Sequence, residues 1–347
     1  MSTGTSEWSF DRQVRVFEKE LRGYWSYQAT RARLLEDLKL PPYDTLVQCT
    51  CSLLALLCSR HRVASFAVAT AKNSPLAGQL LHLYWRDAAF GWYIYIEECR
   101  RLAEAAQTQQ GRQAHLPIGK IDFSWFTEIC MTMALAAVLG EDDIARWFGE
   151  KCMDMVTNVP AYCEPAAWQV GPVQGFMVQL YMHWRGHKLD VSDFGFAKLK
   201  PFQTLLDSWD DAAAVEATAL RIAKIHGRKA ARDLGDDNDL IFGIAGGIGC
   251  VFPVELLFLQ RVRRDLGLSV PNPDHPLMRS PAATIPLPCE RSGYDDLIAE
   301  VYAHCQALQP GLHVPWEDEM LAAGPNDPRR VPPVEVGSAR KGKSPPK

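Results

Sequence analysis

An all-α fold of about ten helices, stacked as antiparallel pairs into an irregular bundle or solenoid, is what this 347-residue sequence predicts. Apolar residues recur at steps of three and four along most of the chain, the period of a helix with one buried face. No apolar–polar alternation bounded by Asn-Gly or Asp-Gly turns marks a strand pair. Sequence self-similarity at a fixed period is also missing, so the stacking is irregular.

The elements follow in order. Val14, Phe17, Leu21 and Tyr24 form one face of a first helix, which Pro41 and Pro42 close off. Tyr43 to Lys72 is a second helical run, stopped by Asn73-Ser74-Pro75. Leu76 to Gln110 is a third, dense in aromatics: Tyr84, Trp85, Phe90, Trp92, Tyr93 and Tyr95. Gln107 to Gly119 reads as a polar connection. Phe123 to Leu139 is apolar nearly all round and is expected to be a central buried helix. Gly140 ends it, because glycine takes the left-handed cap conformation without a Cβ penalty. Glu141, Asp142 and Asp143 are expected in the next first turn, where the helix dipole favours acids. Ile144, Trp147, Phe148, Cys152 and Met155 give that helix its buried face.

A further helix runs from beyond Pro165 to about His187. Lys198 to Trp209 and Asp211 to Arg232 form a helical pair, with Val215, Ala219, Ile222 and His226 on the inner face of the second. Leu256, Leu259, Val262 and Leu266 mark a later helix closed by Gly267. Tyr294, Leu297, Ile298, Val301, Tyr302 and Cys305 mark the last. Residues 1–157 and 158–310 are expected as two helical halves packed as one unit. Residues 325–347, with six prolines and many basic residues, are expected to be a disordered tail.

Hydrophobic residues at 47% and charged residues at 22% are the balance of a globular chain with a large core, which excludes fibrous and wholly disordered classes. The net charge is −4, but residues 328–347 hold six Lys or Arg and one Glu. That tail carries +5, leaving −9 on the rest. So acidic a body does not suit nucleic acid and does suit a basic protein. Ten cysteines are scattered through apolar stretches and no apolar leader precedes them, so buried thiols in the cytoplasm are expected. Cys49 and Cys51 form only a C-x-C without a second pair at zinc spacing. Ile241 to Leu259 is 19 residues with one charge, close to the length of a membrane span. Its glycines at 243, 246, 247 and 249 and its Pro253 instead predict a buried turn leading into a buried helix.

Several groups could carry chemistry. His183 and His187 stand at i, i+4, a spacing that can reach one metal, but Trp184 occupies the place of the usual glutamate and Gly186 weakens the helix. Asp236, Asp237 and Asp239 form an acidic cluster that could hold magnesium on a helix facing a cavity. It follows the helix stop Leu234-Gly235 and lacks a second ligand set, so a solvated loop or a partner-facing loop fits better. Asp207, Asp210 and Asp211 surround Trp209. Asp211 can cap the next helix, since its oxygen can accept from free first-turn amides. Trp209 is either core or an interface anchor. Arg221, Lys224, Arg228 and Arg232 line one side of their helix, as a solvated outer face or a phosphate site. His226, alone on the inner face, reads as a satisfied core residue. The glycines lack dinucleotide spacing, and no G-x-S-x-G or phosphate-binding loop occurs. A non-enzymatic protein without metal or cofactor is expected.

Some short segments are more specific. Phe252-Pro253-Val254-Glu255-Leu256-Leu257 opens a helix, followed by Arg261, Arg263, Arg264, Gly267-Leu268 and Asp274-His275-Pro276-Leu277. Upstream, Phe123-Ser124-Trp125 and Ala134 to Gly140 introduce a helix pair. Over roughly residues 8 to 310 the layout resembles the all-α immunity proteins of bacterial polymorphic-toxin and type VI secretion systems, in particular the PoNi-type proteins that neutralise PoNe-type DNases. The resemblance implies a protein that binds a cognate toxin, such as a nuclease effector, and blocks it by stoichiometric occlusion. It implies no catalytic residues, and the basic tail departs from the family pattern. The residues expected to meet the partner are Asp207, Trp209, Asp210, Asp211, Asp236, Asp237 and Asp239. The rival expectations are a helical scaffold or adaptor, and an all-α metal enzyme using Asp236 to Asp239.

Overall fold

The structure is a computed structural model, and it describes residues 8–23, 65–108, 121, 123–158, 160, 163, 171–187, 200–230, 247–288, 301–303, 305–307 and 310–316. The protein is all-α; among the described residues the one β feature is an isolated bridge between Ile121 and Cys163.

Helix α1 spans Phe10–Gly23 and buries Val14 and Phe17, the first two positions of the expected stripe. Residues 65–72 are the described part of the second run, helical through 71, and the chain turns at Asn73 with φ +50°. Asparagine tolerates that left-handed geometry better than most residues. Helix α2, Ala77–Gln107, is 31 residues long and buried on almost every side between Leu80 and Ile96. Its aromatic density explains this placement: Trp85 and Phe90 are the large, rigid cores around which other helices pack. The Trp85 indole N–H donates to the Thr132 carbonyl at 3.1 Å, which satisfies its one polar atom.

Helix α3, Phe123–Leu139, and helix α4, Asp142–Thr157, form a tight antiparallel hairpin. Gly140 sits between them at φ +83°. Its N–H donates to Ala137 and that of Glu141 to Ala136, so the last carbonyls of α3 are satisfied at the turn. Helix α5 is Pro172–Arg185, with proline in its first turn and Gly186 at φ +70° after its end. Helix α6 is Phe202–Asp207, a shorter piece than the run expected from Lys198 to Trp209. Helix α7 is Ala212–Ala230 and buries Val215, Ala219, Ile222 and His226, as the pattern requires. A 3-10 turn, Gly247–Cys250, leads through Pro253 into helix α8, Val254–Asp265. Gly267 closes α8 at φ +69°.

Helix α3 is the centre, packed against α2, α4, α5 and α8, and α8 also packs on α5. One continuous hydrophobic core holds residues from both 1–157 and 158–310, from Trp8 to Trp316. The carboxy-terminal residues 310–316 bring Trp316 against Tyr93 and Phe148, with ring centroids 5.2 and 6.1 Å away.

Glu141 corrects one expectation. It caps no amide of α4 with its side chain, which is buried and meets His82 Nε2 at 3.0 Å. It stands at the N-cap of α4, and its side-chain partner is a histidine from α2. No described helix is long and apolar enough to cross a membrane. The expected disordered tail lies outside the described residues, as do most of the second and last helical runs.

Candidate functional site

The candidate site is built where α5 ends and α6 gives way to α7. Ser208 follows α6, and its hydroxyl donates back to the Thr204 carbonyl at 2.6 Å. The chain turns tightly, with the Trp209 N–H on the Leu206 carbonyl and the Asp211 N–H on the Ser208 carbonyl. Asp211 then starts α7. Its Oδ1 accepts from the N–H groups of Ala213 and Ala214, both at 3.0 Å, which is the capping geometry expected of it.

Trp209 is half-buried and packs on the rim of the core, so it is at once a core residue and a surface one. The His183 ring from α5 stacks on it, centroids 4.5 Å apart and planes 21° from parallel. The Arg263 guanidinium from α8 lies 4.9 Å from the indole centroid. Arg263 is buried, and two backbone carbonyls hold it: Nη1 donates to Trp209 at 2.7 Å and Nε to Ser269 at 2.6 Å. The indole is thus fixed by stacking, a cation and its own backbone, a rigid aromatic presented with little entropy left to lose.

Asp207, Asp210 and Asp211 are all exposed around it. Asp207 accepts from the Gln203 side chain at 2.7 Å. Among the described residues none of the three stands in an ion pair. Burial lowers the pKa of His183, and Asp210 works in the opposite direction. Burial likewise pulls the pKa of Arg263 down, again against Asp210.

The next indole along α5 is a useful contrast. Trp184 carries Arg185 at 3.9 Å and Arg261 at 5.7 Å over its ring, and its N–H donates to Asp265 at 3.0 Å. Arg261 also binds Asp142 at 3.1 Å, Asp265 at 2.7 Å and the Ala137 carbonyl at 3.1 Å. Charge there is consumed internally and clasps four helix ends together. Around Trp209 it faces outward.

The two histidines do not form a metal pair. Helix α5 ends at Arg185, Gly186 turns the chain, and His187 stacks on Tyr181 instead, centroids 6.0 Å apart. Among the described residues no group of three or more His, Cys, Asp or Glu side chains could hold a metal. Asp236, Asp237 and Asp239 lie outside the described residues, as does Arg232. Arg221, Lys224 and Arg228 are exposed on the outer side of α7.

The sequence singles out Trp209 and its acids as candidates, and it names His183 and Arg263 without indicating that they pack on the indole. Both come from helices far away in sequence, and no local spacing signals the stack. No protein-family model matches this chain, and neither the curated proteins nor the solved structures contain a match to it.

Proposed function

We propose that the protein is a non-enzymatic immunity protein that neutralises a cognate bacterial toxin, a basic nuclease effector being the partner class that its charge suits best. The observation that carries this reading is the Trp209 face: a rigid, half-buried indole flanked along the chain by exposed Asp207, Asp210 and Asp211, none of them in an ion pair among the described residues. A fixed aromatic with a polar rim is the composition of an interface hot spot. Carboxylates around it would speed encounter with a cationic surface and select against acidic ones. The resemblance in layout to PoNi-type immunity proteins supports the same reading, as does the −9 charge of the chain before its tail.

Co-expression tests it. The product of the gene immediately upstream is induced in a sensitive bacterium with and without this chain. Rescue together with co-purification of the pair is expected. The double reversal Asp207→Lys, Asp210→Lys is expected to slow association at least tenfold at low salt, with the difference shrinking as salt rises. Asp211 is left intact because it caps α7. Rescue unaffected by the reversal would place the interface elsewhere, and absence of rescue would remove the immunity reading.

A further inference from the structure

His226 is 1% exposed, and both of its ring nitrogens face acceptors. Nδ1 lies 2.6 Å from Glu255 Oε1, and Nε2 lies 2.7 Å from the Gly249 carbonyl oxygen. A carbonyl oxygen can only accept, so Nε2 carries a proton. Glu255 is itself buried, and as a carboxylate it needs a donor, which a protonated Nδ1 would supply. A ring with protons on both nitrogens is an imidazolium. Its two bonds join three elements: α7, the first turn of α8, and the glycine-rich turn between them.

Among the described residues the surroundings offer no other charge to replace it. From α8 the facing group is Glu255; Arg263 is committed to the carbonyls of Trp209 and Ser269. The amino-terminal segment contributes Trp8, which donates to the Cys250 carbonyl at 3.3 Å, and Gln13, which donates to the Ala230 carbonyl. Asp11 and Arg15 of α1 are exposed and Arg12 is half-buried. From residues 271–288, His275 lies against Gly227, where an added Cβ would meet its ring at 2.9 Å. Its Nδ1 accepts from the Leu277 N–H, and its neighbours Asp274 and Arg279 pair with each other. On α7 itself Lys224 and Arg228 are exposed and Lys229 is half-buried.

We infer that His226 is a proton-operated clasp: as an imidazolium it ties the Gly247–Cys250 turn and the start of α8 to α7, and its deprotonation loosens that turn. When the ring loses the Nδ1 proton, a lone pair faces the Glu255 carboxylate and the shared bond becomes a repulsion. Burial alone would lower the pKa of His226; Glu255 and the Gly249 carbonyl outweigh it and raise the pKa above its ordinary value. The clasp is therefore complete below about pH 6.5, the ordinary histidine value, and is lost as pH rises through the higher folded one.

The test is a histidine-ring nitrogen NMR titration of the full chain from pH 6 to 9.5, with amide-exchange protection followed at residues 249–251. Both His226 nitrogens are expected in the protonated form at pH 7. Protection at the turn, corrected for intrinsic exchange, is expected to fall by up to about tenfold per pH unit between about pH 6.5 and the folded transition, the slope of a single proton, and to level off beyond it. An unprotonated ring nitrogen at pH 7 overturns the inference, and so does a titration that leaves the turn equally protected. Glu255→Gln is expected to abolish the transition and keep the turn evenly protected across the range, because the amide N–H can donate to an unprotonated Nδ1; if that variant does not fold, the titration of the native chain decides alone. His275→Gln is expected to titrate like the native chain, and a transition that vanishes in it would assign the effect to the wrong histidine.

Discussion

Asp211 and its two acidic neighbours look alike in sequence and do different work. Asp211 holds two amides at the start of α7, so its carboxylate is part of the fold. Asp211→Ala is expected to lower stability by about 1 kcal/mol, the usual cost of a lost helix cap. Urea denaturation of the variant measures this; an unchanged midpoint would mean that solvent caps α7 equally well. The cap was legible because capping is local: the oxygen and the amides it meets lie two and three residues apart. The environment of Trp209 was not legible, because its stacking partner His183 and its cation Arg263 arrive from other helices. The same holds for the two buried His–Glu pairs. Period alone put His226 on the inner face of α7, but only packing could supply Glu255 and the Gly249 carbonyl as partners.

Helix ends and helix contacts divide in the same way. The stops at Gly140, Gly186 and Gly267 all take positive φ, so the punctuation read from sequence coincides with the backbone. Where helices cross, the fit is a matter of which side chain meets which. Gly149 of α4 gives Tyr181 of α5 its place: a Cβ there would lie 2.2 Å from the tyrosine ring. That ring is buried, and its hydroxyl donates to Glu150 Oε1 at 2.9 Å, which ties the crossing together. Gly149→Ala is expected to destabilise the protein by roughly 1–3 kcal/mol, because the ring must leave a low-energy position in a packed core. A thermal or urea midpoint equal to that of the native chain would show that Tyr181 shifts freely. Glycine inside a helical run otherwise reads only as a weak point, so this requirement could not be taken from the period of α4.

Across the whole molecule the core is continuous, and its thiols report on that continuity. Cys99, Cys130, Cys152, Cys163, Cys250 and Cys305 are free and buried. Burial pushes Cys99 and Cys163 up to about 12. Cys130 and Cys152 approach to 3.7 Å between sulfurs, a thiol hydrogen bond rather than a disulfide. At pH 8 these six are expected to resist a thiol-reactive dye in the native chain and to react in denaturant, because the thiolate is the reactive form. Mass spectrometry of the labelled peptides reads the outcome. Rapid native labelling of any of the six would mean that the core opens far more readily than its packing implies.

The all-α architecture, most of the described helix ends, the buried faces of α3, α4 and α7, and the capping role of Asp211 are set by the sequence on its own, because each depends on residues within a turn or two of one another. The tertiary structure alone decided that Glu141 pairs with His82, that the acids beside Trp184 are neutralised by arginines, and that those beside Trp209 stand exposed without an ion pair among the described residues. Those outcomes depend on which helix lies against which. Charge and periodicity along a chain do not encode that until the helices have packed.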